Sequence, residues 1–441
     1  MSPAERLAEL IRIPTISEEG VRDEAAFETF RRRLAELYPL LHEQLEREVV
    51  AGGTLHLRWA GGAGPVGRPT AEPSGIVLLA HYDVVPVTDQ RWRRDPFSGA
   101  IEDGVVHGRG ALDDKGPLVA VLEAVEGLLA EGFAPAGDVH LVLGHDEEVL
   151  GTGARAVAGL LRDRGVRPLL VLDEGGAVVE GMVPGVRGPL AMIGLTEKGV
   201  ATIRLAVRSA GGHASVPPRR QATVRLARAL TRIERHPFPA RTSPAVTAMA
   251  AALAPRLPRA VAALLAARPA APALGPLLGL LGGVPAALAR TTVAVTRLRA
   301  GTAANVLAAE ATADLNVRIA PGGTVAGVAA RLRRVVRDPE VRIEVLAGDD
   351  PPPLTRSSGP AWDRVVAAVR VAHPAALAVP YVMVQASDAR HFTGLGADVY
   401  RFMPFAITAQ QLGAIHGPDE QVPIASLEAA IAFHRALLTV S

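Results

Sequence analysis

The chain has 441 residues, and 49% of them are hydrophobic, which is enough for two packed cores and favours two domains. Its 47 basic and 45 acidic residues nearly cancel and are scattered along the sequence. This balance argues against a nucleic-acid partner and favours a small-molecule substrate. Cysteine is absent, which excludes disulfides, thiolate metal sites and a cysteine nucleophile, so any metal must be bound by His, Asp and Glu.

The N-terminal segment, MSPAERLAELIRIPTIS, contains acidic side chains and no long apolar run. It therefore lacks the features of a signal peptide. We accordingly expect a cytoplasmic protein.

Short apolar runs alternate with a helical pattern between residues 75 and 176. This arrangement is typical of an α/β fold, in which a mainly parallel sheet is flanked by helices. Residues 75–85, 138–148 and 168–176 are predicted to be buried strands that lead into polar loops. Residues 117–132 are predicted to form a helix, because their apolar side chains fall on one helical face and Gly132 ends the pattern.

After Lys198 the pattern changes to strict alternation of apolar and polar residues. It predicts strands at 200–209 and 310–320 and helices at 221–235 and 324–336. Two strand-and-helix units in this order indicate a small α+β lid inserted into the first domain. We predict a catalytic domain made of residues 1–196 and 351–441, with the lid at 197–350.

The predicted lid contains an apolar insertion at 243–290, which is rich in Ala, Leu and Pro. Its most apolar stretch, 273–289, has only about the minimum length of a membrane-spanning helix and is broken by Pro and Gly, so we expect no transmembrane segment. Buried helices or an apolar wall beside the active site are the favoured interpretation. Contact with a membrane surface is the alternative.

Acidic and imidazole side chains follow three of the predicted strands. They are His81 and Asp83, then Glu147 and Glu148, and finally Asp173. In an open parallel sheet, the loops at the carboxyl ends of the strands line the ligand crevice, so these side chains are expected to converge.

A fourth loop, GRGALDDKG at 108–116, adds Asp113 and Asp114 just before the predicted helix. Carboxylates this crowded repel one another and raise one another's pKa unless cations are bound, which indicates a divalent metal. Ligands limited to imidazole and carboxylate suit zinc, and cobalt or manganese fits the same ligand types.

Local spacing divides the roles of these residues only partly. Alternation along a strand puts His81 and Asp83 on one face, so His81 can bind metal while Asp83 orients it, although a structural histidine is the alternative. Glu147 and Glu148 are neighbours whose side chains diverge, so one can bind metal while the other faces a water, although a solvated acidic loop is the alternative. His416, in the loop AIHGPDE at 414–420, would complete a set with one imidazole for each of two metals.

Eight segments together resemble the cocatalytic zinc exopeptidases and amidohydrolases, a family that includes carboxypeptidase S, aminoacylase, carnosinase and succinyl-diaminopimelate desuccinylase. The segments are HYDVVPV (81–87), GRGALDDKG (108–116), GHDEEVLGTGA (144–154), VLDEGG (171–176), GGHASVPP (211–218), NVLAAEATADLNVRI (305–319), SDARHF (387–392) and IHGPDE (415–420). They keep the family's order and cover nearly the whole chain.

The resemblance implies two zinc ions that share one carboxylate. The implied ligands are His81, Asp113 and Asp173 for one ion and Asp113, Glu148 and His416 for the other. The resemblance also implies that Glu147 is the general base, that Asp83 orients His81 and that Asp114 is a supporting residue.

Residues outside the metal set are assigned by the same resemblance. His213 would stabilise the oxyanion, often across the interface of a dimer formed through the lid, which implies a homodimer unless the insertion blocks that surface. Asn305 and Arg318 would contact the substrate, and Ala308 stands where the family often has proline. Arg318 or Arg390 would bind the substrate carboxylate, with a surface salt bridge as the alternative for either arginine.

The segments 81–87, 92–110 and 144–148 and the long insertion most resemble the branch that contains carboxypeptidase S and the N-fatty-acyl amino acid hydrolase. This implies cleavage of the amide bond of N-acyl amino acids or dipeptides that carry a free C-terminal carboxylate. One alternative is a di- or tripeptide aminopeptidase of the same family. The other is a non-catalytic binding protein, which would lack a base or a ligand, whereas this chain lacks neither.

Overall fold

The computed structural model describes residues 1–18, 20–62, 75–183, 185–258, 262 and 271–440. Parts of the predicted insertion, 259–261 and 263–270, therefore lie outside the described residues. The elements up to residue 197 are α1 (Pro3–Ile11), β1 (Ser17–Glu18), β2 (Val21–Arg22), α2 (Glu24–Leu37), α3 (Pro39–Gln44), β3 (Glu46–Val50), β4 (Thr54–Trp59), β5 (Gly75–His81), β6 (Ala100–Glu102), β7 (Val105–His107), α4 (Lys115–Ala130), β8 (Val139–Gly144), α5 (Gly153–Asp163), β9 (Pro168–Asp173), β10 (Val178–Val179) and β11 (Leu190–Glu197). A short 3₁₀ turn, Glu147–Val149, follows β8.

The middle of the chain alternates between strands and helices. Its elements are β12 (Gly199–Arg208), β13 (Gly212–His213), α6 (Ala222–Arg235), α7 (Pro244–Leu253), α8 (Ala271–Leu281), α9 (Gly283–Ala289), β14 (Thr292–Ala300), β15 (Val306–Leu307), β16 (Glu310–Ile319), α10 (Val325–Val336) and β17 (Arg342–Asp349), with a 3₁₀ turn at Ala254–Arg256. The last part contains α11 (Pro360–Ala372), β18 (Leu377–Met383), a 3₁₀ helix at Asp388–Leu395, β19 (Asp398–Arg401), α12 (Ala409–Ala414), β20 (Gln421–Pro423) and α13 (Ile424–Thr439).

A nine-stranded sheet forms the centre of the molecule. Its strand order is β10-β11-β19-β9-β5-β8-β4-β3, and β18 pairs with β11 outside this path. The pairs β5–β8, β5–β9, β9–β19 and β11–β18 are parallel, whereas β3, β4 and β10 are antiparallel to their neighbours. The predicted α/β fold with a mainly parallel sheet is confirmed.

The two faces of this sheet are both covered, which explains the continuous apolar run of β5. Ile76, Leu78 and Ala80 belong to the core formed with α4 and α13, whereas Val77 and Leu79 belong to the core formed with α5. Successive residues of a strand point to opposite faces, so a strand covered on both sides must be apolar at every position. The same packing fixes the carboxyl ends of β5, β8 and β9 at one edge of the sheet.

A second, smaller sheet is built only from residues between 199 and 349. Its order is β14-β16-β12-β17, all antiparallel, and α6 and α10 cover one face. The sequence predicted β12, β16, α6 and α10 to within one residue at each end, but not the edge strands β14 and β17. Most of their side chains are exposed, so the alternation that reveals a half-buried strand is missing. The predicted boundaries of the lid, 197 and 350, stay a prediction. They are supported by the smaller sheet, whose strands all lie between residues 199 and 349.

The described part of the insertion forms α7, α8 and α9. Ala245 and Val246 of α7 pack against Val382 of β18, with Leu274 and Leu278 of α8 beside them. The insertion therefore reaches from the smaller sheet to a strand of the large one. Among the described residues, no helix combines the length and the apolar character needed to cross a bilayer.

Candidate metal centre and active site

The three predicted strand ends meet as parallel neighbours. His81 is the last residue of β5 and lies opposite Gly144, the last residue of β8, while Asp173 ends β9 on the other side of β5. Glu147 follows β8 by three residues. The topology thus brings residues from separate parts of the chain to one edge of the sheet.

Asp113 lies between the two predicted metal-binding histidines. Its Oδ1 is 3.1 Å from Nε2 of His81, and its Oδ2 is 3.1 Å from Nε2 of His416. His416 Nε2 is also 3.2 Å from Oε2 of Glu148. One ligand atom from each of His81, Asp113 and Glu148 falls within 4.8 Å of the others. The two oxygens of Asp113 thus face different imidazoles, as a carboxylate shared by two metal ions requires.

Asp83 orients both halves of this cluster from a fully buried position. Nδ1 of His81 is 3.0 Å from the Asp83 carbonyl oxygen and 3.2 Å from its carboxylate. The carboxylate oxygens accept hydrogen bonds from the backbone N–H groups of Glu147 and Glu148, at 3.2 and 3.1 Å. A proton on Nδ1 of His81 satisfies this contact and leaves Nε2 free for a metal.

Asp173 and Asp114 are held by backbone amides. Asp173 accepts hydrogen bonds from the N–H of Ala389 at 2.6 Å and of Glu174 at 3.0 Å. Asp114, joined to Asp113 by a cis peptide bond, accepts one from the N–H of His81 at 3.0 Å. Asp173 lines the same narrow cavity as His81 and Glu147. Asp114 therefore positions the backbone of His81, as the supporting role predicted for it requires.

The crowding of acids around the metal centre shifts their pKa values. Burial, reinforced by neighbouring carboxylates, raises the pKa of Glu147, Asp114 and Glu174 well above their usual ranges. Burial likewise raises the pKa of Asp388 to about 7. In the absence of a cation these acids hold protons, because their negative charges cannot coexist at this distance.

The pKa values of the two imidazoles are also raised, but for an imidazole this favours the charged form. Hydrogen bonds to Asp113 and then Glu148 raise the pKa of His416 to about 10. Burial opposes the same shift in His81, but Asp113 and Asp83 still raise its pKa well above the ordinary value. Burial also acts against ionisation of Asp113, yet hydrogen bonds from His416 and His81 lower its pKa. In the absence of a metal ion, the positive charge beside these carboxylates comes from the protonated imidazoles.

The donor set fits a divalent metal ion. Glu148 Oε1 is buried and has no hydrogen-bond partner within the described ranges, although Oε2 of the same carboxylate contacts His416. A buried carboxylate oxygen without a partner is costly unless a cation or a proton neutralises it. Imidazole and carboxylate ligands at one shared centre are those that zinc, cobalt and manganese accept.

The predicted lid residue His213 belongs to β13, and Asn305 directly precedes β15, the strand that pairs with β13. The N–H of Ala214 donates to the carbonyl of Asn305 at 3.0 Å, and His213 Nδ1 contacts the hydroxyl of Ser215 at 2.7 Å. Both His213 and Asn305 are exposed. In the part of the chain that the structure describes, neither side chain makes a hydrogen bond or ion pair with the metal cluster.

The two predicted arginines face the active site more directly. Burial lowers the pKa of Arg318, and the charges of Glu147 and Glu197 act in the opposite direction. The side chain of Arg390 is 7% exposed and also senses the charge of Glu147. Its Nη1 donates to the carbonyl of Ser387 at 2.6 Å, whereas its buried Nη2 has no hydrogen-bond partner among the described residues. The charge of the candidate base therefore acts on both guanidinium groups, and Arg390 also lies 3.9 Å from a carboxylate oxygen of Asp388.

Three further acids near this centre were not predicted from the sequence: Glu174, which is partly buried, and Asp388 and Glu420, which are buried. Glu174 and Asp388 line the cavity beside His81 and Glu147. Glu420 accepts hydrogen bonds from the backbone N–H groups of residues 110, 112 and 113 and from Arg109. All three acids lie in segments that carried the resemblance, and that position was the only available signal.

Residues 77–440 match the model of "Peptidase family M20/M25/M40". The N-fatty-acyl-amino acid synthase/hydrolase PM20D1 of Bos taurus is 32% identical over 437 residues, which cover 97% of this chain and 86% of that protein. A probable carboxypeptidase S-like protein of Dictyostelium discoideum is 31% identical, with 99% and 84% of the two chains covered.

Solved structures show the same fold at low sequence identity. A metallo-carboxypeptidase of Sulfolobus solfataricus superposes with a TM-score of 0.71 at 18% identity, over 99% of this chain and 98% of that one. Human carnosine dipeptidase 1 gives 0.67 at 14% identity, over 99% and 96%. The resemblance inferred from the sequence segments is confirmed, and the protein is a metallopeptidase-type enzyme that belongs to peptidase family M20/M25/M40.

Proposed function

We propose that this chain is a dinuclear zinc hydrolase that cleaves the amide bond of N-acyl amino acids or dipeptides with a free C-terminal carboxylate. The observation that carries the proposal is the position of Asp113 between His81 and His416, with one carboxylate oxygen 3.1 Å from each imidazole. His81, Asp113 and Asp173 would hold one zinc ion. Asp113, Glu148 and His416 would hold the other.

The chemistry divides between the ions and the protein. The chemistry that zinc would supply when held by these residues is Lewis acidity, which would polarise the scissile carbonyl and lower the pKa of water at the site. Glu147 then accepts the proton of the attacking water and delivers it to the leaving nitrogen. Its burial and raised pKa suit both steps, because a carboxylate that is too acidic would not retain the proton.

The substrate carboxylate would be bound by arginine. Arg318 is partly buried, the side chain of Arg390 is buried, and the charge of the candidate base acts on both; Nη2 of Arg390 has no hydrogen-bond partner among the described residues. A guanidinium binds a carboxylate through two parallel hydrogen bonds, which fixes the scissile amide relative to Glu147. Asn305 would add a contact from the lid.

His213 would stabilise the oxyanion of the tetrahedral intermediate. It is exposed and apart from the metal cluster within one chain. This arrangement supports the proposal that it acts in the site of a second copy, in a homodimer formed through the lid. A cytoplasmic location stays a prediction.

The relatives favour N-acyl amino acids as the substrate class. PM20D1 of Bos taurus is named an N-fatty-acyl-amino acid synthase/hydrolase, and the Dictyostelium discoideum relative is named carboxypeptidase S-like. Both names describe cleavage or formation of an amide next to a carboxylate. The same-family alternative, an aminopeptidase, is represented by a Bacillus cereus structure with a TM-score of 0.59, which shows only a shared fold.

The test compares Glu147→Gln with Glu148→Gln on a panel of N-acyl amino acids and dipeptides. We expect Glu147→Gln to keep its zinc content and lose turnover by about 10²–10⁴-fold, because only the proton acceptor is removed. Glu148→Gln should lose zinc as well as turnover. Full turnover by Glu147→Gln would reject its role as the base.

The panel also separates the competing activities and the metals. Cleavage of N-blocked substrates, with loss of cleavage when the C-terminus is an amide, supports the proposal. Strict dependence on a free N-terminus would establish the aminopeptidase instead. Loading the metal-free enzyme with Zn²⁺, Co²⁺ or Mn²⁺ in turn, and measuring ions bound per chain, tests the identity and number of the ions.

A further inference from the structure

Helix α8 of the insertion carries large apolar side chains of which some are packed and others are exposed. On its inner side, Leu274 and Leu278 pack against the cluster formed by Ala245, Val246 and Val382. Its remaining large side chains are also leucines, and the helix carries no charged residue. A helix that is apolar all round is normally buried on every side.

The outer side of α8 is nevertheless exposed. The exposed fractions are 54% for Leu277, 85% for Leu280, 67% for Leu281 and 64% for Val284 of α9. We call these four residues the outer apolar surface. Leu277, Leu280 and Leu281 follow one another at the end of α8, Val284 comes three residues later in α9, and all four stay exposed among the described residues. Single exposed leucines are ordinary, but four large apolar side chains exposed within one short segment mark a surface that meets another apolar phase.

The segment of the chain that contains this surface has charged residues of one sign in its sequence. Residues 235–309 contain eight arginines and no Asp, Glu or Lys. Arg241 is exposed, and its backbone lies directly against Gly275 of α8. Apolar side chains flanked by arginine match the interface of a bilayer that contains anionic phospholipid, because the leucines enter the acyl boundary while guanidinium groups meet phosphate. A purely apolar partner would not account for the missing acids.

The helix that carries most of the outer apolar surface also packs on a strand that precedes an active-site segment in the chain. Beneath it, Val382 belongs to β18, and the chain continues from β18 into the 3₁₀ helix that carries Asp388 and Arg390. A bilayer bound at the outer apolar surface would therefore contact α8, which packs on the strand that precedes the helix carrying Arg390.

We propose that Leu277, Leu280, Leu281 and Val284 dock this enzyme on the surface of a bilayer that contains anionic phospholipid. Docking would admit long-chain N-acyl amino acids, which are anionic amphiphiles that partition into bilayers, a consequence that rests on the proposed function. Docking itself is a binding property and does not depend on catalysis.

The experiment measures co-sedimentation of the full chain with vesicles of phosphatidylcholine alone or with about 30% phosphatidylglycerol, a composition chosen to supply a negative surface. The test variant is the triple change Leu277→Gln, Leu280→Gln and Leu281→Gln. The matched control is Val21→Gln, Val49→Gln and Val371→Gln, whose valines are 64%, 57% and 58% exposed elsewhere on the surface. We expect the parent and the control to bind the anionic vesicles at least about tenfold more tightly than the test variant, and more tightly than they bind neutral vesicles.

Equal binding by the test and control variants would overturn the proposal, and so would binding that ignores the vesicle charge. A parent that is oligomeric in light scattering and becomes smaller only in the test variant would assign this surface to a second copy of the chain. Hydrolysis of a short, water-soluble N-acetyl amino acid without vesicles should be equal in all three proteins. Absence of that hydrolysis in every protein would reject the proposed function and leave the vesicle result standing.

Discussion

Glu420 accepts a hydrogen bond from the backbone N–H of Asp113 at 3.0 Å, and a second one, at 2.7 Å, from the N–H of Leu112. Its other carboxylate oxygen is 2.6 Å from Nη1 of Arg109. Because Glu420 follows His416 by four residues, the loop that carries one candidate ligand holds the loop that carries the shared carboxylate. The ion pair between Glu420 and Arg109 is buried. A shift of either loop would separate the two side chains and leave a buried charge without its partner.

Replacing Glu420 with Gln should therefore weaken metal binding. The amide keeps the size of the side chain but brings N–H groups towards backbone donors, and we expect a loss of about 10–100-fold in zinc affinity. Titration of the metal-free protein with zinc measures it. Glu126→Gln is the control, because Glu126 is also buried and also accepts from backbone N–H groups, but its donors, Leu40 and Leu41, do not belong to a loop that carries a candidate ligand. An equal loss of affinity in both variants would indicate general destabilisation.

Zinc binding should release protons and strengthen as the pH rises. In the metal-free protein the pKa of His416 is raised to about 10, and that of His81 is raised well above its ordinary value, so both imidazoles are protonated at neutral pH. Only the neutral imidazole binds metal, and each proton released increases the affinity by up to about tenfold per pH unit. Zinc titrations at pH 6, 7 and 8 test this. A zinc affinity that is constant over this range would contradict the protonated state.

The metal-free fold should lose stability in mild acid because of two buried histidines. Burial lowers the pKa of His434 to about 3, and burial followed by the charge of His56 lowers that of His140 to about 4. The unfolded chain binds a proton at each position below about pH 6.5, whereas the folded chain does not until its lower pKa is reached. The unfolding free energy should therefore fall as the pH drops from 6.5 towards 4.

Each of these histidines should cost about 1–2 kcal/mol between pH 6.5 and pH 5. Urea unfolding at the two pH values measures the difference. His434→Leu should reduce the acid sensitivity by this amount, while His236→Leu, at an exposed position, should leave it unchanged. The same fall in stability in both variants would show that His434 is not responsible.

Arg318→Gln should impair binding of the substrate carboxylate more than the chemical step. The loss of a charge-assisted pair of hydrogen bonds costs about 2–3 kcal/mol, which corresponds to an increase in KM of about 30–150-fold. A substrate whose C-terminus is an amide lacks the carboxylate, so its already poor cleavage should hardly change. Arg208→Gln is the control, because Arg208 is exposed on the neighbouring strand and pairs with Glu310. An unchanged KM in Arg318→Gln would assign the carboxylate to another group.

Two inactive variants should complement each other if His213 acts across a dimer. Glu147→Gln lacks the base and His213→Ala lacks the oxyanion donor, but a mixed dimer contains one site with both groups. Equal mixing after subunit exchange should restore about a quarter of the parent activity, since half of the dimers are mixed and each has one complete site. Activity that stays at the level of the separate variants, despite exchange shown by light scattering and labelled subunits, would place His213 outside the partner's site.

The sequence predicted elements best where burial imposes a regular pattern. The strand β5 is covered on both faces and α4 is buried along nearly its whole length, so their apolar runs are continuous and unmistakable. The edge strands β14 and β17 went unpredicted because exposed positions accept either polar or apolar residues. The insertion was interpreted as buried helices, which agrees with Val246 of α7 and Leu278 of α8, whereas Leu280 is exposed.

By itself the sequence determined the α/β fold, the family and the chemical types of the metal-binding groups, because these follow from periodicity and from motifs that are local in the chain. The tertiary structure decided which atoms meet. His81 and His416 are 335 positions apart, and only the packed sheet brings both imidazoles to the two oxygens of Asp113. Only the tertiary structure also showed that Glu420 accepts a hydrogen bond from the N–H of Asp113. The sequence could not predict this contact, because a hydrogen bond between distant loops produces no periodic pattern in either loop.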